Sequence, residues 1–193
     1  LHASCWAIAL FTEVYRVGLT AGSPLQAFLT DGEMDVDGLL AVVPNDASRE
    51  LGDLMALAES RLLPALNGPF DLGPTFAGSA FCKADADLIA SGCLLDLKTR
   101  IGERNARTKR CHDDLRNVDV YQMLGYALFD LDDEYGITRL GIYSSRYGHL
   151  TRWGLVDFIE RIACRSVDIE EERARIRYLL SGETRGERKG QRG

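Results

Sequence analysis

Ala84-Asp85-Ala86-Asp87-Leu88-Ile89-Ala90-Ser91-Gly92-Cys93-Leu94-Leu95-Asp96-Leu97-Lys98-Thr99 decides the fold. Two apolar or alternating runs flank Ser91-Gly92, the pattern of a β-hairpin closed by a two-residue turn. With that turn Ala90 faces Cys93, and counting outward sets Asp87 opposite Asp96 and Asp85 opposite Lys98. Opposed residues of an antiparallel pair share a face, with Cβ atoms roughly 4.5–5.5 Å apart. Three carboxylates and one ammonium on one side of a small sheet destabilise the hairpin unless a positive charge stands among them. A divalent cation with hard oxygen ligands meets that need, since Mg2+ is typically held by one or two carboxylates together with substrate phosphate.

The chain has 193 residues, 46% hydrophobic and 27% charged, enough for a single domain with a real core. We expect that domain to cover residues 1–180, and residues 181–193, rich in Gly and Arg, to form a flexible basic tail. The chain opens on Leu1, which suggests part of a longer protein or complex. Its apolar run 5–11 is far shorter than the ~20 residues of a membrane span, so the expectation is a cytoplasmic protein with no membrane partner. Five scattered cysteines without a Cys-x-x-Cys pair indicate neither a disulfide framework nor a zinc ribbon. A net charge of -6 argues against a broad surface that coats nucleic acid. A local basic patch does occur in 98–110, where Arg100, Arg104, Arg107, Lys109 and Arg110 follow Lys98.

Outward from the hairpin, periodicity predicts a helix over 2–18 that is apolar around most of its circumference, hence packed on several sides. Glu13 falls in its apolar stripe with Trp6, Leu10 and Val17 and needs a partner: an arginine such as Arg16, a lysine or a metal. A short helix over 25–29, an acidic turn at 31–33, a short element over 36–43 and a helix from Asn45 that Pro64 ends or kinks come next. Residues 75–82 read as a first strand. After the basic loop, 113–134 reads as a long helix with Gln122 and Tyr126 on one face, followed by a second hairpin of 137–143 and 149–153. A C-terminal helix starts near Leu155 and breaks around 166–168 before reaching Leu180. The expected architecture is α/β, a central mixed sheet of four or five strands flanked by helices.

Asp-x-Lys by itself is weak, arising by chance about once in a chain of this length at ordinary composition. The tail holds such a decoy, Glu187-Arg188-Lys189, with no strand and no upstream acid. Asp96-Leu97-Lys98 differs by its context: an apolar strand, a turn, a preceding strand with Asp87, and a later helix with Gln122-Met123-Leu124-Gly125-Tyr126. In that order the motifs resemble the PD-(D/E)XK nuclease superfamily, in its RecB-like branch with a Gln-x-x-x-Tyr motif. The resemblance spans about 75–153 and implies a restriction-endonuclease-like core.

It further implies a Mg2+- or Mn2+-dependent nuclease that hydrolyses phosphodiester bonds in DNA, RNA not being excluded. Asp87 and Asp96 would ligate the metal with the backbone carbonyl of Leu97, and Lys98 would position or activate the attacking water. Gln122 and Tyr126 would flank the site, and Glu13 resembles a helical glutamate that some members use as an extra ligand. Asp85 shares the face of Asp87, and either substitutes for it as ligand or pairs with Lys98. The basic residues Arg100, Arg104, Arg107, Lys109 and Arg110 would grip the nucleic-acid backbone without reading sequence. Ala86 stands where the superfamily's name has proline, and Asp96 where glutamate is commoner. Only Cys164 lies beyond the Gln-x-x-x-Tyr helix, so the iron-sulfur cluster of some relatives is not expected. The alternative is a catalytically inactive nucleic-acid-binding or assembly module that keeps the nuclease fold.

Overall fold

A computed structural model describes residues 1–31 and 35–182. The acidic turn at 32–33, most of the expected tail and the decoy Glu187-Arg188-Lys189 lie outside them. The chain divides into two compact units, Leu1–Glu59 and Ser60–Gly193. In the first, helices α1 (His2–Arg16), α2 (Pro24–Asp31) and α3 (Val36–Ala41) are followed by α4 (Asn45–Arg61). The starts of α2 and α3 follow from capping chemistry. Ser23 Oγ accepts from the backbone of Gln26 ahead of Pro24, and Asp35 Oδ1 accepts from Gly38 N at 2.7 Å. Around α1 the expected all-round packing is not found: Ala7 is buried, whereas Ile8, Phe11, Val14 and Tyr15 are exposed. The helix is therefore buried on one side only, with Trp6, Leu10 and Glu13 half-buried there and apolar residues left exposed on the other. Pro64 ends α4 as its missing N–H requires, in a 3-10 turn at Leu63–Ala65.

The second unit is built on a five-stranded mixed sheet, with strands β1 (Phe70–Leu72), β2 (Leu88–Ala90), β3 (Cys93–Lys98), β6 (Arg139–Ser144) and β7 (His149–Gly154) adjacent in that order. All neighbours are antiparallel except β3 and β6, which run parallel with Asp96 beside Ile142 and Lys98 beside Ser144. A parallel pair requires a crossover. Here it comprises a small separate hairpin, β4 (Glu103–Arg104) with β5 (Cys111–His112), and helix α5 (Asn117–Phe129). The basic stretch 98–110, expected to be a loop, thus contributes β4 to a hairpin that β5 completes just beyond it.

The hairpin that opened the reading has the expected turn and the pairs Ala90 with Cys93, Ile89 with Leu94 and Leu88 with Leu95. Ser91 and Gly92 both take positive φ, the backbone of a tight two-residue turn. A Cβ on Gly92 would stand 2.7 Å from the Gly136 carbonyl oxygen, so close chain contact as well as conformation demands glycine. Beyond Leu88 the register departs from expectation. Asp87 leaves the ladder, and Asp85 bridges Thr75 instead of facing Lys98. The expected strand over 75–82 is replaced by a 3-10 turn at Ala77–Ala80, and the sheet's first strand is Phe70–Leu72. Ser79 causes this locally: its hydroxyl accepts from Phe76 N and donates to Ala84 O at 2.6 Å, satisfying backbone groups that a ladder would otherwise take.

Leu94, Asp96 and Lys98 point to one face of the sheet and Cys93, Leu95 and Leu97 to the other. On the first face Ile89, Leu94, Leu140 and Ile142 pack with Met123 and Ala127 of α5 and with Leu155, Phe158 and Ile159 of α6 (Leu155–Ala163). On the second, Leu88, Ala90, Cys93 and Leu95 pack with Leu66 and Leu150. Helix α5 is shorter than the expected 113–134. Asp113 and Asp114 are drawn into contacts with Arg100 before it begins, and Asp130, just past its end, accepts from Glu134 N and Tyr135 N. The expected break after α6 is present: Cys164 is left-handed, and Asp168 caps α7 (Ile169–Leu180) by accepting from Glu170 N and Glu171 N.

Gly78 is where the 3-10 turn meets α5, and a Cβ there would stand 2.8 Å from Phe129 Cβ and 3.0 Å from its Cα. Gly78→Ala forces backbone apart in a packed contact, and overpacking of this kind costs about 1–3 kcal/mol. Urea unfolding should show the midpoint lowered with the slope unchanged.

Candidate active site

The end of β3 leaves the hydrophobic core and carries polar side chains directly onto α5. Asp96 is 3% exposed, the deepest carboxylate of the sheet. Lys98, two residues on and therefore on the same face, places Nζ 2.6 Å from Asp96 Oδ2 and 2.8 Å from Gln122 Oε1. Asp96 Oδ2 is buried, and its partner is the Lys98 ammonium. Gln122 passes the chain of contacts on: its Nε2 donates to Tyr126 Oη at 2.7 Å. The Tyr126 ring stacks on Phe76 at 5.9 Å, so the 3-10 segment braces the far end of this relay.

Asp87, although out of the ladder, remains at the site. Its Oδ2 accepts from Leu97 N at 2.7 Å, and its negative charge contributes to raising the pKa of Asp96. Burial is the main cause of that rise; the Lys98 ammonium opposes it, and Asp119 adds to it. Sequence reasoning did not single out Asp119, which is 1% exposed and stands 3.8 Å from Lys98 Nζ. A signal for it did exist: Asp119, Gln122 and Tyr126 are spaced i, i+3, i+7, one stripe of the helix.

Arg100 explains how that acid is tolerated. Nη1 donates to Asp119 Oδ1 at 2.9 Å, Nη2 to Asp119 Oδ2 at 2.7 Å and to the Asp114 carbonyl, and Nε to Asp113 Oδ1 at 2.5 Å. Asp113 Oδ2 accepts in turn from Ser144 Oγ at 2.7 Å. Every guanidinium nitrogen of Arg100 is thus used inside the fold, while Arg104, Arg107, Lys109 and Arg110 are exposed on and around the β4–β5 hairpin. Burial alone would raise the pKa of Asp119. The Arg100 and Arg116 hydrogen bonds outweigh it and hold the group at about 2.

Of the other expected ligands, Asp85 is exposed at its bridge with Thr75. Glu13 belongs to the first unit, where Oε1 accepts from Thr20 N at 2.5 Å and hydrogen bonds from Thr20 lower its pKa. The side chain of Arg16, its expected partner, lies outside what is described. Among the described residues no group of three or more His, Cys, Asp or Glu side chains is arranged to hold a metal ion. What β3 offers is two carboxylates, Asp87 and Asp96, beside the backbone of Leu97. That donor set is hard, anionic and short of a complete shell. These properties suit Mg2+ or Mn2+, which retain water and take substrate oxygens.

A cleft of about 500 Å3 adjoins the site, walled by Arg100, Ile101, Gly102 and Glu103 on one side and by His112, Asp113, Asp114 and Arg116 on the other. A second cleft, of about 670 Å3, lies against α7 near Asp132 and Arg177, and none of the site residues lines it. No helix among the described residues is long and apolar enough to cross a membrane. Comparisons with protein-family models, curated proteins and solved structures return no match.

The Asp119 shift, from 3.8 to about 2, stabilises the fold above the ordinary carboxylate range and is lost as pH falls through 3.8 towards 2. Its size is about 2 kcal/mol. Asp96 has the opposite sign: its raised pKa favours the fold at low pH and opposes it as the group ionises. Asp119→Asn should therefore lose stability at neutral pH and show a flatter acid limb than the parent, measured by urea unfolding at about pH 7, 4 and 3.

Proposed function

We propose that this chain is a metal-dependent nuclease of the PD-(D/E)XK superfamily, with a restriction-endonuclease-like core, acting on DNA. The observation that carries this reading is the convergence at the end of β3: a buried Asp96 paired with Lys98, Asp87 beside it, and Lys98 braced by Gln122. Asp87 and Asp96 would hold Mg2+ or Mn2+ with the carbonyl of Leu97. The ion supplies charge stabilisation for the phosphoryl oxygens and a more acidic attacking water.

The protein groups divide the remaining tasks. Lys98, held by Gln122 on one side and Asp96 on the other, presents an ammonium that orients water and offsets negative charge on the phosphate. Gln122 fixes the lysine and is itself fixed by Tyr126. The exposed Arg104, Arg107, Lys109 and Arg110 lie on the β4–β5 hairpin beside the cleft, where contacts to the phosphate backbone bring affinity without sequence preference. A second reading, a binding or assembly module that keeps the fold without catalysis, draws on the 2.6 Å Asp96–Lys98 ion pair, in which the chain's own lysine compensates the acid.

Purified protein supplied with Mn2+ should cut single- or double-stranded DNA. Asp96→Ala and Lys98→Ala should each lower the rate on the order of 10²–10⁴-fold. Cleavage by the two variants at the parent rate, or none by the parent on DNA or RNA, contradicts the nuclease. DNA binding indifferent to Mg2+ and unchanged by Asp87→Ala identifies the non-catalytic module instead.

A further inference from the structure

Three cations face one buried carboxylate at the start of α5: Arg100, Lys98 and the exposed Arg116, whose guanidinium is 3.5 Å from Asp119 Oδ1. Asp119 presents both oxygens to the Arg100 fork at 2.9 and 2.7 Å, and Oδ2 also accepts from Arg116 N. Lys98 Nζ is 3.8 Å from Oδ1, close enough for attraction but outside hydrogen-bond reach, while it is 2.6 Å from Asp96 and 2.8 Å from Gln122. An ammonium is a compact point charge that follows the nearest free carboxylate, whereas a guanidinium fork occupies both carboxylate oxygens in one fixed plane. We infer that Arg100 is a positioning residue: its fork occupies Asp119 and so leaves the Lys98 ammonium to Asp96 and Gln122. The inference rests on Lys98 being the working lysine of the proposed site.

Three features favour this role over the phosphate contact expected for Arg100. Its side chain is only 20% exposed and its donors already have acceptors in the fold. Its second acid, Asp113, also holds Ser144, the residue paired with Lys98 across the parallel strands, so the clamp fixes the strand end from which Lys98 projects. Arg100 follows two residues beyond the end of β3, and both its fork and the Lys98 ammonium reach Asp119.

The test compares the parent with Arg100→Gln, Asp119→Asn and the double variant Arg100→Gln/Asp119→Asn. Crystal structures and the side-chain amide resonances of Gln122 give a readout that needs no activity. In Arg100→Gln, Lys98 should leave Gln122 for Asp119, shifting the Gln122 amide pair, and Mn2+-supported cleavage should fall on the order of 100-fold, the scale of a misplacement of about 1 Å. In the double variant the competing charge is gone, so Lys98 should return to Gln122 and cleavage should recover at least about tenfold relative to Arg100→Gln.

Lys98 unmoved in Arg100→Gln, or a double variant no better than that single one, overturns the inference and leaves Arg100 a purely structural tie. Should Arg100→Gln not fold, the double variant decides: Lys98 on Gln122 with cleavage within about tenfold of the parent supports the clamp, and loss of both refutes it. If the parent cuts no nucleic acid, the nuclease reading fails, while the position of Lys98 across the four proteins still decides the role of Arg100.

Discussion

Burying the carboxylate of Asp96 in the middle of a sheet is the constraint to which this part of the structure answers. A single ionised acid in a dry environment is expensive, and the chain meets that expense with neighbours rather than with solvent. Lys98 comes from the same strand face, Gln122 keeps the lysine in place, and Tyr126 keeps the glutamine in place. Each depends on α5 crossing the sheet at one height and one rotation. The parallel pairing of β3 with β6 makes that crossing obligatory, and Met123 and Ala127 lock its rotation by packing among Leu94, Leu140 and Ile142.

Charge is arranged in two nested layers around this point. The inner layer holds Asp96, Lys98 and Asp87, with one carboxylate exposed and one buried. The outer layer holds Asp113, Asp119 and Arg100 in closed mutual contact. The outer acids are engaged by Arg100, while Asp119 still helps to raise the pKa of Asp96. The division follows residue chemistry: the lysine, mobile and compact, faces the open layer, and the arginine, planar and multidentate, closes the sealed one.

The hairpin, the mixed sheet, the second hairpin and the break before Asp168 were legible because each has a local cause: a Ser-Gly turn, alternating apolar residues, a capping aspartate. Asp96, Lys98, Gln122 and Tyr126 were legible as a set for the same reason, since strand and helix periodicity fix which side chains share a face. Asp85 was misplaced because register was extended past the last real pair; Ser79 and Asp87 divert the chain there through side-chain bonds that no periodicity encodes. The role of Arg100 was hidden by its neighbours: in sequence it belongs to a run of basic residues, and only the fold brings Asp113 and Asp119 to it. Helix 113–134 was read too long because apolar spacing says nothing about which acids are already engaged elsewhere.

The β4–β5 hairpin sits between two residues that are tied to each other, Arg100 at its entrance and Asp113 at its exit. Whatever lies between them closes on a fixed base, and every residue from 101 to 112 is exposed. The hairpin is therefore a replaceable module: its length and charge can drift, or be exchanged by design, without transmitting strain to Asp96 or Lys98. In such an arrangement the exposed basic surface and the buried groups around Asp96 are free to evolve at different rates.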